Sequence, residues 1–281
     1  MGLDTSVIER LPQVQAALNF ITPSAEKPHS YEYEPPNGVL RSTASFEART
    51  VPIRNMRSIA QEFSLEREGV RLVNAPTQVE DFYDERQIRK LYYPEAERLV
   101  ANLTGASRVV IFDVTIRQRI PGVSDRSTGW PRQPVPRVHV DYTVRSGPQR
   151  VRDLLGDEAD ELLRHRFSVV NVWRPIRGPL QDSPLAVSDA QSVRFDDLVA
   201  TDLLYTDRTG EIYMVKFNAE QRWFYAPQMS SDEVLAFKCF DSVEDGRARF
   251  APHAAFEDPT TPLDAWPRES IELRTLAFHS G

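Results

Sequence analysis

Four stretches decide the fold: residues 168–176 SVVNVWRPI, 233–242 EVLAFKCFDS, 248–256 ARFAPHAAF and 270–278 SIELRTLAF. Each is short, rich in Val, Ile, Phe and Trp, and bounded by Gly, Pro, Asp or Ser, as strands of an antiparallel sandwich or barrel are. Segments 202–207 DLLYTD, 211–217 EIYMVKF and 221–227 QRWFYAP have the same character, and 108–119 RVVIFDVTIRQR adds a further strand upstream. About eight such strands make a jelly roll. The expected fold is mainly β with flanking α-helices: a cupin-like double-stranded β-helix.

Upstream of residue 108 the pattern is helical. Thr77 and Glu80 fit a T-x-x-E capping box opening a helix through about Tyr92. Pro94 suits a first helical turn and Gly105 suits a C-terminal cap, predicting a second helix between them. A third, amphipathic helix is expected over 148–166, PQRVRDLLGDEADELLRHR. Residues 1–75 are expected to form an arm on the core, with a short helix from Val7 to Phe20 and then extended chain, and residues 76–281 the main unit. A Pro-rich connection runs from Pro121 to Pro136.

Composition narrows the class of function. The 281 residues suffice for a sizeable core, and 41% hydrophobic with 27% charged content is ordinary for a globular protein. A net charge of −7 gives no general attraction to phosphate backbones, so nucleic acid is not an expected partner. The single cysteine, Cys239, leaves no internal disulfide and no thiolate zinc cluster, which suits a reducing cytoplasm. No apolar run approaches membrane-spanning length, and the start lacks the basic and apolar regions of a secretory signal. Gly2 and Ser6 fit a loose myristoylation pattern and Asn102 a glycosylation sequon; neither has support around it.

The chemistry is carried by ligand-type residues. In 137–143 RVHVDYT, His139 and Asp141 stand two apart, a spacing that places both on one face of a strand. Two histidines and one carboxylate form the face that holds non-haem Fe(II) and leaves the other coordination positions open. For the third ligand His253 is the best placed, since His29 lies in the arm, His165 ends a charged helix and His279 is terminal. Arg268 follows His253 by fifteen residues and opens an R-x-S triplet with Ser270 on the last strong strand. A guanidinium and a hydroxyl on one face can grip a carboxylate, as the distal carboxylate of 2-oxoglutarate requires. Arg274 shares this parity and rivals Arg268, while Glu269, Glu272 and Asp258 are the acidic residues with which either arginine would otherwise pair. Asn171 is a candidate cosubstrate contact; Trp173, Tyr142 and Arg49 are candidates for the substrate pocket. There is no G-x-S-x-G, no Gly-rich phosphate loop and no C-x-x-C, which argues against hydrolase, nucleotidase and thiol-redox readings.

Four segments, HVDYT, NVWRPIRGPLQDSPLAVSDA, RWFYAPQMSSDEVLAFKCFDS and PHAAFEDPTTPLDAWPRESIELRTLAF, together resemble the AsaB-like hydroxylase/desaturase family. That family includes a fungal gibberellin desaturase and a CmcJ-type protein. The resemblance runs from about Arg108 to Phe278, with a fainter echo in 46–57 FEARTVPIRNMR. It implies an Fe(II)/2-oxoglutarate-dependent oxygenase that uses O₂ to hydroxylate or desaturate an unactivated C–H bond of a small molecule of secondary-metabolite or amino-acid type. It also implies His139, Asp141 and His253 as metal ligands and Arg268 as the 2-oxoglutarate anchor. The competing readings are a cupin-like metal-dependent isomerase and a non-catalytic accessory or binding protein of a pathway. Substrate and oligomeric state are left open by the sequence.

Overall fold

From Arg108 onward the period-two pattern of apolar residues is realised as strands, and the strands build two facing sheets. The structure is a computed structural model that describes residues 2–123 and 132–280, so part of the Pro-rich connection lies outside the described residues. In chain order the strands are β1 (Gln13–Ile21), β2 (His29–Tyr31), β3 (Phe46–Asn55), β4 (Val70–Asn74), β5 (Arg108–Gln118), β6 (His139–Val140) and β7 (Phe167–Pro175). They continue as β8 (Leu185–Ser188), β9 (Leu198–Leu204), β10 (Thr209–Val215), β11 (Trp223–Tyr225), β12 (Glu233–Asp241), β13 (His253–Ala255) and β14 (Glu269–Phe278). Among the described residues one sheet has the order β1-β3-β11-β8-β13-β6-β10-β9-β2 and the other β4-β12-β7-β14-β5.

Side-chain alternation sorts the residues of the second sheet into two faces. On β7 and β14, Val169, Trp173, Leu276 and Phe278 face the first sheet and pack against its Val140, Val187 and Phe224. The alternate residues, Val170, Val172, Ile271, Leu273 and Ala277, pack outward against Tyr92, Ala96 and Val100. A third apolar layer lies on the far side of the first sheet, where Leu18, Phe20 and Ile53 meet Trp223 and Phe256. The molecule is thus a curled sheet, a core, a second sheet and a helical cover, which is the double-stranded β-helix with flanking helices.

The helix expected from Val7 to Phe20 is not formed. A short helix, α1 (Thr5–Ile8), capped by Asp4, ends before Pro12, and residues 13–21 become β1, paired antiparallel with β3. Ala16, Leu18 and Phe20 are buried at period two, so one sheet face takes residues that a helix would have scattered. The strands of residues 1–75 are hydrogen-bonded into both sheets, β3 to β11 and β4 to β12.

The helical segments are shorter than expected. Thr77 does not open a helix: its hydroxyl donates to Glu95, and the turn begins instead at Asp84, whose carboxylate accepts from the Arg86 N–H. From there α2 (Glu85–Gln87) passes through a wide turn, Ile88–Tyr92, into α3 (Tyr93–Thr104). Pro94 lies in the first turn of α3, and Gly105 closes it in the left-handed conformation at φ 71°. The amphipathic stretch 148–166 breaks at Gly156, where φ is 50°, into α4 (Ser146–Leu155) and α5 (Ala159–Leu162).

Candidate metal centre

β6 consists of two residues held between β13 and β10, with His139 directly opposite His253 in the ladder. This register brings the two imidazole rings to 4.4 Å between centroids. Strand pairing thus makes the distant histidine the neighbour of His139. The strand ends at Val140, and Asp141 follows in a bend, so the expectation of two ligands on one uninterrupted strand face is only half realised. Val138 packs in the outer layer and Val140 between the sheets, as the chain turns at this point.

Hydrogen bonds fix how each ligand side chain is presented. His139 Nδ1 lies 2.8 Å from the Arg137 carbonyl and His253 Nδ1 lies 3.3 Å from the Ala251 carbonyl, each two residues back. A ring that donates through Nδ1 keeps its lone pair at Nε2, the atom a metal needs. His139 Nε2 lies 3.6 Å from Asp141 Oδ1, and one ligand atom from each of His139, Asp141 and His253 falls within 4.8 Å of the others. The other oxygen of Asp141, Oδ2, accepts from Asn171 Nδ2 at 2.7 Å and Arg274 Nε at 2.8 Å.

Electrostatics holds the same protonation pattern. Burial and the neighbouring His253 push the His139 imidazole down to about 4, and burial likewise lowers His253. Burial alone would raise Asp141, but Arg274 and the two histidines outweigh it and hold the carboxyl far below its ordinary range. Two neutral imidazoles and one carboxylate is the donor set of a non-haem Fe(II) face, so the residues fit that metal.

The facing sheet contributes rows of polar residues that run across its strands. Asp113 on β5, Arg274 on β14 and Asn171 on β7 are direct neighbours, as are Thr115, Glu272 and Trp173 in the next row. Arg274 is bound by three carboxylates: Asp141, Asp113 and Glu272, the last at 3.0 Å. Burial and these anions act in opposite senses on it, and the anions prevail, raising its affinity for the proton.

Arg268 is placed differently. It is 2% exposed, its Nε donates to Ser270 Oγ at 3.0 Å, its Nη1 donates to the Ser183 carbonyl at 2.9 Å, and its guanidinium lies 5.0 Å over the Trp173 ring. No side-chain ion pair neutralises it among the described residues; burial and Arg117 push its pKa down to about 9.

A cavity of about 450 Å³ opens at the centre, lined by His139, Asp141, Tyr142, Phe112, Arg150 and Met214 among others. A second space of about 20 Å³ lies further in, between His139, His253, Arg268, Glu272 and Leu185. His139, Arg117 and Arg274 border both. Tyr142 lines the larger cavity, whereas Trp173 and Asn171 line neither: Trp173 sits beneath Arg268 and Asn171 supports Asp141. Arg49 is on β3, paired with Glu47 and stacked on Phe217, and lines neither cavity.

Comparison with known proteins decides the family. A family model described as an oxidoreductase/YMDC permease-like domain matches residues 18–278. The chain is 33% identical to the hydroxylase/desaturase efuI of Hormonema carpetanum, covering 95% of both chains. It is 30% identical to the Fe(II)/2-oxoglutarate-dependent dioxygenase nvfI of Aspergillus novofumigatus, covering 94% of this chain and 96% of the other. The chain belongs to this family of Fe(II)/2-oxoglutarate-dependent hydroxylases and desaturases. A solved structure of the iron- and alpha-ketoglutarate-dependent endoperoxidase NvfI superposes on the dioxygenase with a TM-score of 0.87 at 29% identity, over 96% of this chain and 99% of that one.

Reading the sequence of this dioxygenase did not single out several residues of its centre. Glu272 shares strand parity with Arg268, Ser270 and Arg274, and this parity, beyond its pairing with an arginine, places it at the inner space. Arg117 and Arg150 gave no such signal, because their place at the cavity depends on β5 and α4 meeting the end of β6.

Proposed function

We propose that His139, Asp141 and His253 hold the iron of this dioxygenase, and that Arg268 and Ser270 bind the distal carboxylate of 2-oxoglutarate. In this reading the small-molecule substrate enters through the 450 Å³ cavity. One observation carries it: a buried arginine with only neutral side-chain partners faces, across the core, three ligand atoms within 4.8 Å. A buried cation without a counter-ion is costly unless an anion arrives. Arg274, the rival, already has three carboxylates and works as a support for Asp141.

Bound iron, with 2-oxoglutarate as the electron source and O₂ as oxidant, supplies the power to remove hydrogen from an unactivated C–H bond while the cosubstrate becomes succinate and CO₂. The chain supplies position. Asn171 and Arg274 fix one oxygen of Asp141 so that the other points to the metal face. Arg268 and Ser270 orient the cosubstrate, and Leu185, Ala254 and Val135 close the inner space against water.

No helix is long and apolar enough to cross a membrane among the described residues. The acidic charge and the single buried cysteine are what favour a cytoplasmic enzyme that acts on small molecules. The test is O₂-dependent succinate formation from 2-oxoglutarate across a panel of small acids, amino acids and polycyclic metabolites. Succinate that requires Fe(II) and rises with one member supports the reading; no succinate under any condition refutes it.

A further inference from the structure

We propose that Arg150 determines substrate choice, and that the substrate is a carboxylic acid whose apolar body lies against Phe112 and Tyr142. This rests on the metal face and cavity described above and adds the substrate class. The acidic side chains that line the cavity are engaged already. Asp113 and Asp141 are held by Arg274, Glu211 by Lys27 at 2.5 Å and Arg145 at 2.8 Å, and Glu32 lies 3.5 Å from Arg132. Asp153, one helical turn from Arg150, takes the Gln149 amide at 2.7 Å.

On the cationic side Arg150 lines the cavity beside Tyr142, has no ion pair among the described residues, and its Nε is buried without a hydrogen-bond partner. A buried guanidinium donor left unpaired costs stability, which an arriving carboxylate would recover through charge-assisted bonds.

The position of Arg150 is fixed relative to the metal loop. Ser146, which opens α4, accepts from the Thr143 N–H at 2.9 Å and donates to the Glu211 carbonyl at 2.7 Å. Thr143 is two residues past Asp141, and Arg150 is one turn along α4 from Ser146, on the same face. Both residues line the cavity. The Phe112 ring links the two ends, 5.9 Å from the Arg150 guanidinium and 6.1 Å from the Tyr142 ring. An acid held by Arg150 would therefore lay its carbon skeleton across Phe112 and Tyr142 toward the ligand carboxylate.

The experiment is anaerobic calorimetry on the Fe(II)- and 2-oxoglutarate-loaded protein. The probes are aromatic and alicyclic carboxylic acids, each beside its carboxamide. The proposal expects at least one acid to bind about 10- to 100-fold more tightly than its amide, the range of a charge-assisted contact. Arg150→Met should erase that preference and Arg150→Lys should retain part of it, while both weaken amide binding far less than acid binding and leave the Fe(II)·2-oxoglutarate visible band unchanged. Acids that bind no better than amides across the panel, or a preference that survives Arg150→Met, overturn it. A missing band in the unaltered protein defeats the metal reading instead, and the acid preference is then measured on the protein without metal.

Discussion

The two sheets that face the cavity are built in opposite ways. The first presents its histidines from β6 and β13, strands of two and three residues, each ring steadied by one backbone carbonyl. The second presents charged residues from β5 and β14 beside Asn171 and Trp173 of β7, on strands of nine to eleven residues, in rows set by cross-strand register. A metal ligand needs a free lone pair and a short approach, and a strand end gives both. In the proposed reading the cosubstrate carboxylate meets a buried cation, Arg268, set immediately before β14, whose Ser270 holds its guanidinium in place. In the proposed reading, what binds the metal is separated from what stiffens its surroundings.

The sharpest break in this comparison comes from the short strands. His253→Ala removes one of three ligands in a buried place where no other His, Asp, Glu or Cys completes the set among the described residues. Turnover and Fe(II) content should fall by more than about 100-fold, beyond the range for supporting residues, with little change in circular dichroism. Full activity would reject the site.

On the long strands the effect should divide between the two arginines. Arg268→Ala should raise the 2-oxoglutarate KM about 100-fold, as loss of a buried charge-assisted anchor does, with iron content kept. Arg274→Met should instead destabilise the fold by about 3 kcal/mol or more by leaving buried carboxylates unpaired. An effect on KM confined to Arg274→Met would exchange the two roles.

Asn171→Ala lies one step further out. It removes one of the donors to Asp141 Oδ2, leaving Arg274 and the Cys239 thiol, and should lower Fe(II) affinity about 10-fold, with the 2-oxoglutarate KM unmoved at saturating metal.

The last effect is on the metal-free protein. His139 has a folded pKa near 4 against an ordinary value of 6.5, so between these pH values the unfolded chain binds more protons. Stability should therefore rise with pH across that window, by at most about 3 kcal/mol. In denaturant titrations His139→Gln should flatten that slope; an unchanged slope would show that His139 is not buried as a neutral ring.

Much of this was legible in the sequence because it is local. The strands over 108–119, 168–176 and 270–278 announced themselves by composition, and H-x-D with R-x-S announced the chemistry. Residues 13–21 misled because Ala, Leu and Gln are good helix formers, and only pairing with β3 decides otherwise. Strand parity could not choose between Arg268 and Arg274, since Arg268, just before β14, and Arg274 within it have the same parity. The choice rests on Asp113 and Asp141, which reach Arg274 from β5 and from the bend after β6. Likewise Asn171 stood out as a candidate cosubstrate contact, but its bond to Asp141 depends on two sheets meeting.

The central claim is that three side chains make one iron face with a cosubstrate anchor opposite. Anaerobic addition of Fe(II) and then 2-oxoglutarate tests it most directly. The account expects a weak visible charge-transfer band that appears only with both, weakens at equal 2-oxoglutarate in Arg268→Ala, and vanishes in His139→Ala and Asp141→Ala. No band in the unaltered protein, or a band that persists without His139 and Asp141, would contradict it.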